Sequence, residues 1–199
     1  MLDPFSDIVL YVISFTWPMM IISSIIIISL RVTYLIKSKK EFIFYKEFLM
    51  LGFIIYILCL FQLVTLKDVT SWSSHNFIPF REILRYRLGS PLFLKNVIGN
   101  MVLFVPYGIF VSHYLNLKKW YGIIILAIVA SISIEITQAY IGRVFDIDDI
   151  ILNVTGAFIG FLIYRLLRKL IEQNKELQST WILNTASIIV MILLIMLII

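Results

Sequence analysis

Six apolar runs, each close to the length that crosses a bilayer, constrain this chain more than any other feature. They lie at 8–30, 48–66, 97–115, 121–140, 148–167 and 181–199. About 20 such residues carry an α-helix through the hydrocarbon core. Lipid offers no hydrogen-bond partner to a backbone amide, and a helix satisfies its own, so the predicted fold class is all-α. The composition agrees: 61% of residues are hydrophobic and 15% charged, against about 45–50% and 25% in a soluble domain. A polytopic transmembrane helical bundle, one membrane domain over residues 1–199, is therefore expected. The first run lacks a basic leader and a small-residue cleavage site, and so reads as a span rather than a secretory signal.

The single cysteine, Cys59, sits inside an apolar run, which excludes a disulfide framework or a thiolate metal site. No metal or cofactor is expected. A net charge of +5 would point to nucleic acid in a soluble protein. In a membrane protein the flanking Lys and Arg are topology signals, so no nucleic-acid partner is expected. With the N-terminus outside, the inner segments hold 11 of the 17 basic residues and the outer ones 6. Cytoplasmic loops carry the excess of positive charge, which places both termini outside. The outer 67–95 loop is itself basic, so an inverted chain, or one whose first run does not span, is the alternative.

The polar residues then gather at the outer face. The 67–95 segment carries Trp72, His75 and the run Arg81-Glu82-Ile83-Leu84-Arg85. Arg81 and Arg85 are four apart and share a helical face. One reading is a short amphipathic helix at the interface, its arginines near lipid phosphates. Another is a guanidinium clamp on a particular phosphate or carboxylate. Asn96 and Asn100 stack on one face of the third run, whose Pro106 should kink the helix. Such amides are packing devices, or they line a cavity.

The fourth and fifth runs carry the densest group. Glu135 and Gln138 lie three apart; Arg143, Asp146, Asp148 and Asp149 follow, then Asn153, Gly156 and Gly160. On one helix Asp149, Asn153, Gly156 and Gly160 form a stripe, polar at its head and small below, where another helix can approach. An ionisable group such as Glu135 within a span faces the protein interior or water, with Arg143, Arg81 or Arg85 as candidate partners. Asp146 or Asp148 can cap the fifth span. Capping alone leaves the remaining acids, Gln138 and Arg143 unexplained, so a shared polar site is expected.

The pattern Asn76-x-x-Pro79-Phe80, Asn96-x-x-x-Asn100, Phe104-x-Pro106-x-Gly108, Glu135-x-x-Gln138 and Arg143-x-x-Asp146-x-Asp148-Asp149-x-x-x-Asn153-x-x-Gly156 resembles the VanZ-like membrane protein family over about residues 70–165. The resemblance implies a bacterial plasma-membrane protein acting at the cell envelope, in a family whose founding member is associated with resistance to the lipoglycopeptide teicoplanin. It implies no particular reaction. Together with the charge count it gives an outer-leaflet site made of Arg81, Arg85, Asn96, Asn100, Glu135, Gln138, Arg143, Asp146, Asp148, Asp149 and Asn153. Membrane lipids are the expected partners, with a lipid-linked wall precursor or the anchored lipoglycopeptide as candidate ligands. The first alternative is an enzyme using these carboxylates for acid–base work or with an oxygen-ligated metal on a lipid-linked substrate. The others are a transporter and a membrane scaffold.

Overall fold

A computed structural model describes residues 4–65 and 75–198. The tryptophan at 72 and the rest of the 66–74 stretch lie outside the described residues. The helices are α1 (Pro4–Ser38), α2 (Phe44–Thr65), α3 (Arg81–Arg85), α4 (Pro91–Phe93), α5 (Gly99–Tyr114), α6 (Trp120–Tyr140), α7 (Ile147–Gln173) and α8 (Thr180–Ile198). No strand occurs among the described residues, only one isolated parallel bridge between Asn76 and Asp146. Five stretches are long and apolar enough to cross a membrane: Trp17–Ser38, Phe44–Gln62, Pro91–Tyr114, Trp120–Tyr140 and Ile147–Gln173. A sixth, Thr180–Leu193, is apolar but shorter among the described residues. The all-α, multi-pass architecture is thus observed.

The third run starts earlier than its hydropathy indicates. Ser90 caps the helix, its Oγ accepting from the Phe93 amide at 3.2 Å, and Pro91 occupies the first turn where its missing N–H costs nothing. Leu94–Ile98 then form a wider π turn that leads directly into α5. α5 continues through Pro106.

The chain divides into two compact units, Met1–Leu63 with Lys169–Ile199, and Val64–Arg168. In the first, Arg31 Nε meets Glu47 Oε2 at 2.8 Å, and Asn184 Oδ1 accepts from the Tyr45 amide at 3.0 Å. The second unit contains α3 to α6 and most of α7, and holds every residue of the sequence-derived site.

Within that second unit polarity runs inside out. The buried stripe of α6 is Ile123, Ala127, Ser131, Glu135 and Gln138, while Ile125, Val129, Ile132 and Ile136 are exposed. A helix that is apolar on its exposed face and holds its polar groups within is suited to lipid. α7 buries Asp148, Leu152, Asn153, Gly156, Ala157, Gly160, Phe161 and Tyr164. Its glycines set the distance to α5. A Cβ on Gly156 would overlap the Met101 carbonyl, one on Gly160 the Val105 carbonyl, and one on Gly108 the Ala157 carbonyl. The two backbones touch, which is how helices associate where lipid removes the hydrophobic drive. Inside the same bundle Asn153 Nδ2 donates to Ser131 Oγ at 2.9 Å, and the Tyr107 hydroxyl donates to the Leu126 carbonyl at 3.2 Å.

Candidate functional site

The polar end of the second unit is built by the turn between α6 and α7. Gly142 adopts φ +83°, the left-handed conformation that ends many helices. Its amide donates to the Ala139 carbonyl at 3.2 Å, and that of Arg143 to the Gln138 carbonyl at 2.9 Å. This pair of bonds is the Schellman arrangement, and it folds Arg143 back over the carbonyl end of α6, where a cation is favoured. The Gln138 amide is oriented by its neighbours: its nitrogen donates to Glu135 Oε1 at 3.2 Å, and its oxygen accepts from the Arg143 guanidinium.

Glu135 is 1% exposed, so its carboxylate must find partners within the protein. Besides Gln138, it accepts from the Asp146 amide through Oε2 at 2.9 Å. Arg143 and Asp149 lie close enough to act on it electrostatically. Asn100, on α5, donates to Asp149 Oδ1 at 2.5 Å. Glu135, Gln138, Arg143, Asp149 and Asn100 thus form one group across α5, α6 and α7. Burial lowers the Arg143 guanidinium below its ordinary value, and the charges of Asp149 and Glu135 oppose that shift.

Asp146 and Asp148 make a second, adjoining group. Asp146 Oδ1 accepts from the Asp148 amide at 2.9 Å and so caps α7. The same oxygen accepts from Asn76 Nδ2 at 2.8 Å. Burial pushes the Asp146 carboxyl above its usual range, against the pull of the Asp148 amide and of Asn76. Asp148, 1% exposed, turns away from α7 and receives three backbone amides from the segment around α3. These are Phe80 at 2.5 Å, Glu82 at 2.7 Å and Ile83 at 3.2 Å. Phe80 has φ +66°, a conformation that costs a non-glycine residue on the order of 1 kcal/mol, and the carboxylate offsets that cost.

Three residues outside the sequence-derived set belong to this end. Asn76 is the hinge pin: its amide donates to the Phe145 carbonyl at 2.9 Å and its carbonyl accepts from Ile147 at 3.1 Å. Its Oδ1 accepts from the Ile78 amide at 3.2 Å. His75 Nδ1 accepts from the Phe145 amide at 3.0 Å. Ser131 holds Asn153, and its place four residues before Glu135 on the same face of α6 is the signal that could have found it.

Not every expected residue joins. Arg81 is exposed and makes none of these bonds. Arg85 pairs with Glu82 at 3.2 Å on the surface, and such a pair contributes little. Neither arginine reaches Glu135. Asn96 is half-buried in the π turn, apart from the hydrogen bond that joins Asn100 to Asp149. Among the described residues no three His, Cys, Asp or Glu side chains converge as metal ligands. The aspartates diverge instead, Asp146 to Asn76, Asp148 to the α3 segment and Asp149 to Asn100.

What the arrangement offers chemically is a rigid polar cap. Above it the α3 segment displays Arg81, Arg85 and Arg87 beside Leu84 and Leu88, which are 80% and 81% exposed.

The family model described as VanZ/LLP1 matches residues 53–168. Neither the curated proteins nor the solved structures give a match. The matched stretch takes in the α3 segment, the α5–α6–α7 core and every residue of both hydrogen-bonded groups. It covers more than half of the chain, and this multi-pass helical membrane protein belongs to the VanZ/LLP1 family.

Proposed function

We propose that this protein works in the bacterial plasma membrane with both termini outside, its polar end in the outer leaflet, and that this end binds an amphiphile with a charged head. A lipid headgroup, a lipid-linked wall precursor and a membrane-anchored lipoglycopeptide share that chemistry. The observation that carries the reading is the α3 segment. It sets exposed arginines beside exposed leucines, and the buried Asp148 fixes it to the polar core. Guanidinium groups suit phosphate or carboxylate heads, and leucines at that depth suit acyl chains. The half-buried Arg143 beneath, with Glu135 and Gln138 behind it, supplies further polar contacts to a head that enters. Binding at the outer leaflet accounts for a contribution to teicoplanin-type resistance, in which the protein sequesters or shields the lipid-anchored target.

Sidedness is tested first. In a Cys59→Ser background, Leu88→Cys should react with an impermeant maleimide on intact cells, and Lys175→Cys should react only after lysis. The opposite pattern removes the outer-leaflet site. For function, Arg143→Lys keeps the charge and loses the guanidinium fork, and Asp149→Asn keeps one acceptor oxygen and loses the charge. Each is expected to return teicoplanin susceptibility to that of cells lacking the protein, at unchanged membrane levels. Full protection by both variants would overturn the reading.

A further inference from the structure

At the end of the second unit opposite the polar cap, the turn into α6 and one face of α7 frame an open, shallow cleft of about 410 Å³. Its head is cationic: Lys118, Lys119 and Arg165 line it, and all three are exposed. Its floor is apolar, with Phe158, Phe161 and Leu162. Residues 158, 161, 162 and 165 follow the spacing of one helical face. The apolar floor therefore runs from the arginine toward the bilayer centre for about 10 Å. Trp120, 60% exposed, stands at the mouth, and tryptophan favours the headgroup level of a membrane.

The group is held in place. Arg165 Nη1 donates to the Lys118 carbonyl at 3.2 Å, which uses one of five guanidinium donors. The Lys119 ammonium lies 5.5 Å from the Tyr121 ring centroid, a cation–π distance. Three cations at the rim of an apolar trough attract a net-anionic head more strongly than a zwitterionic one, and repel a cationic one. Basic recesses between membrane helices take the heads of anionic lipids in this way.

We infer that this cleft is a specific site for an anionic phospholipid. The phosphate meets Lys118, Lys119 and Arg165, and the first part of one acyl chain lies along Phe158, Phe161 and Leu162. The site is separate from the polar cap and is formed entirely within the second unit.

Native mass spectrometry of the full chain in detergent tests it, with phosphatidylglycerol, phosphatidylcholine and inorganic phosphate as probes. The wild type should retain one phosphatidylglycerol at least about tenfold more tightly than phosphatidylcholine. The double variant Lys118→Gln/Lys119→Gln should lose about that factor. Leu162→Trp leaves every cation in place and fills the trough, and it should lose phosphatidylglycerol as well. All these positions are exposed, and an unchanged Tm checks that the variants fold. Equal retention of the two lipids by the wild type, or unchanged retention in both variants, overturns the site. Displacement of the lipid by millimolar inorganic phosphate would assign the cations to free phosphate and also overturn it. A dimer mass that disappears in the variants in place of a lipid mass would give the cleft to a second copy, with the same result.

Discussion

Gly156→Ala combined with Gly160→Ala is expected to leave little folded protein in the membrane. A methyl group at either position would enter the backbone of α5, at the carbonyls of Met101 and Val105, with Gly108 Cα only 2.9 Å from the added carbon at 160. Overpacking against movable side chains costs about 1–3 kcal/mol. Here the obstacle is main chain, so α5 and α7 must separate and every side-chain contact along their seam loosens. The two sites lie on one seam, so their effects will not simply add. A combined loss of about 3 kcal/mol or more is a large share of the ~5–15 kcal/mol that holds a protein folded. Thermal unfolding in detergent, read by size-exclusion of the heated sample, measures it. A Tm within a degree or two of wild type for the double variant would show that the helices are not in backbone contact. Thr155→Ala, one residue away but on the exposed side of α7, serves as the control and should change little.

Asp148→Ala should act as strongly by another route. Its carboxylate receives the amides of Phe80, Glu82 and Ile83. A hydrogen bond to a charged group contributes about 1.5–3 kcal/mol, and an amide left buried without a partner costs further. The three bonds share two oxygens, so about 3–5 kcal/mol is a realistic total. Phe80 would also lose the contact that offsets its left-handed backbone. The effect should be local first. Trypsin cleavage after Arg81, Arg85 and Arg87 should accelerate by tenfold or more while helix content is retained. Asp148→Asn keeps one oxygen acceptor and should fall between. Unchanged cleavage in Asp148→Ala would remove this carboxylate from its structural role.

These two results rest on features of different legibility. Gly156 and Gly160 line up with Asp149 and Asn153 at helical spacing, so a seam for close approach could be read directly from the sequence. The target of Asp148 could not. Sequence spacing places it at the head of α7, where capping is the ordinary use of an aspartate. In the structure Asp146 does the capping, and Asp148 reaches a segment 65 to 68 residues earlier in the chain. Such long-range pairing leaves no periodic trace. The same holds for Asn76, whose hydrogen bonds depend on where an irregular strand-like stretch comes to lie. Hydropathy located the long helices well and their ends less so, because it is blind to the Ser90–Pro91 start and the π turn after it. The grouping of Glu135 with Gln138 and Arg143 was readable because all three lie within one helix end and its turn. Arg81 and Arg85 share a helical face as their spacing requires, yet that face looks outward, and spacing alone does not say which way a five-residue helix turns.

The inverted polarity of α6 has a consequence for how the protein enters the membrane. A carboxylate at residue 135 must be carried into a span during synthesis, before most tertiary structure exists. Its partners are Gln138, three residues on, and the Asp146 amide, eleven residues on. The counter-charge of Arg143 lies between them. Everything needed to neutralise the one acid buried in α6 is therefore encoded in the hairpin of α6, its turn and the first turn of α7. Insertion as a paired hairpin satisfies Glu135 locally, whereas insertion of α6 alone would strand it in hydrocarbon at a cost of a few kcal/mol. Asn100 and Asn76 have by then already left the ribosome, waiting to receive Asp149 and Asp146. Docking a hairpin that already carries the partners of Glu135 onto an α5 inserted before it is the order of assembly this placement favours.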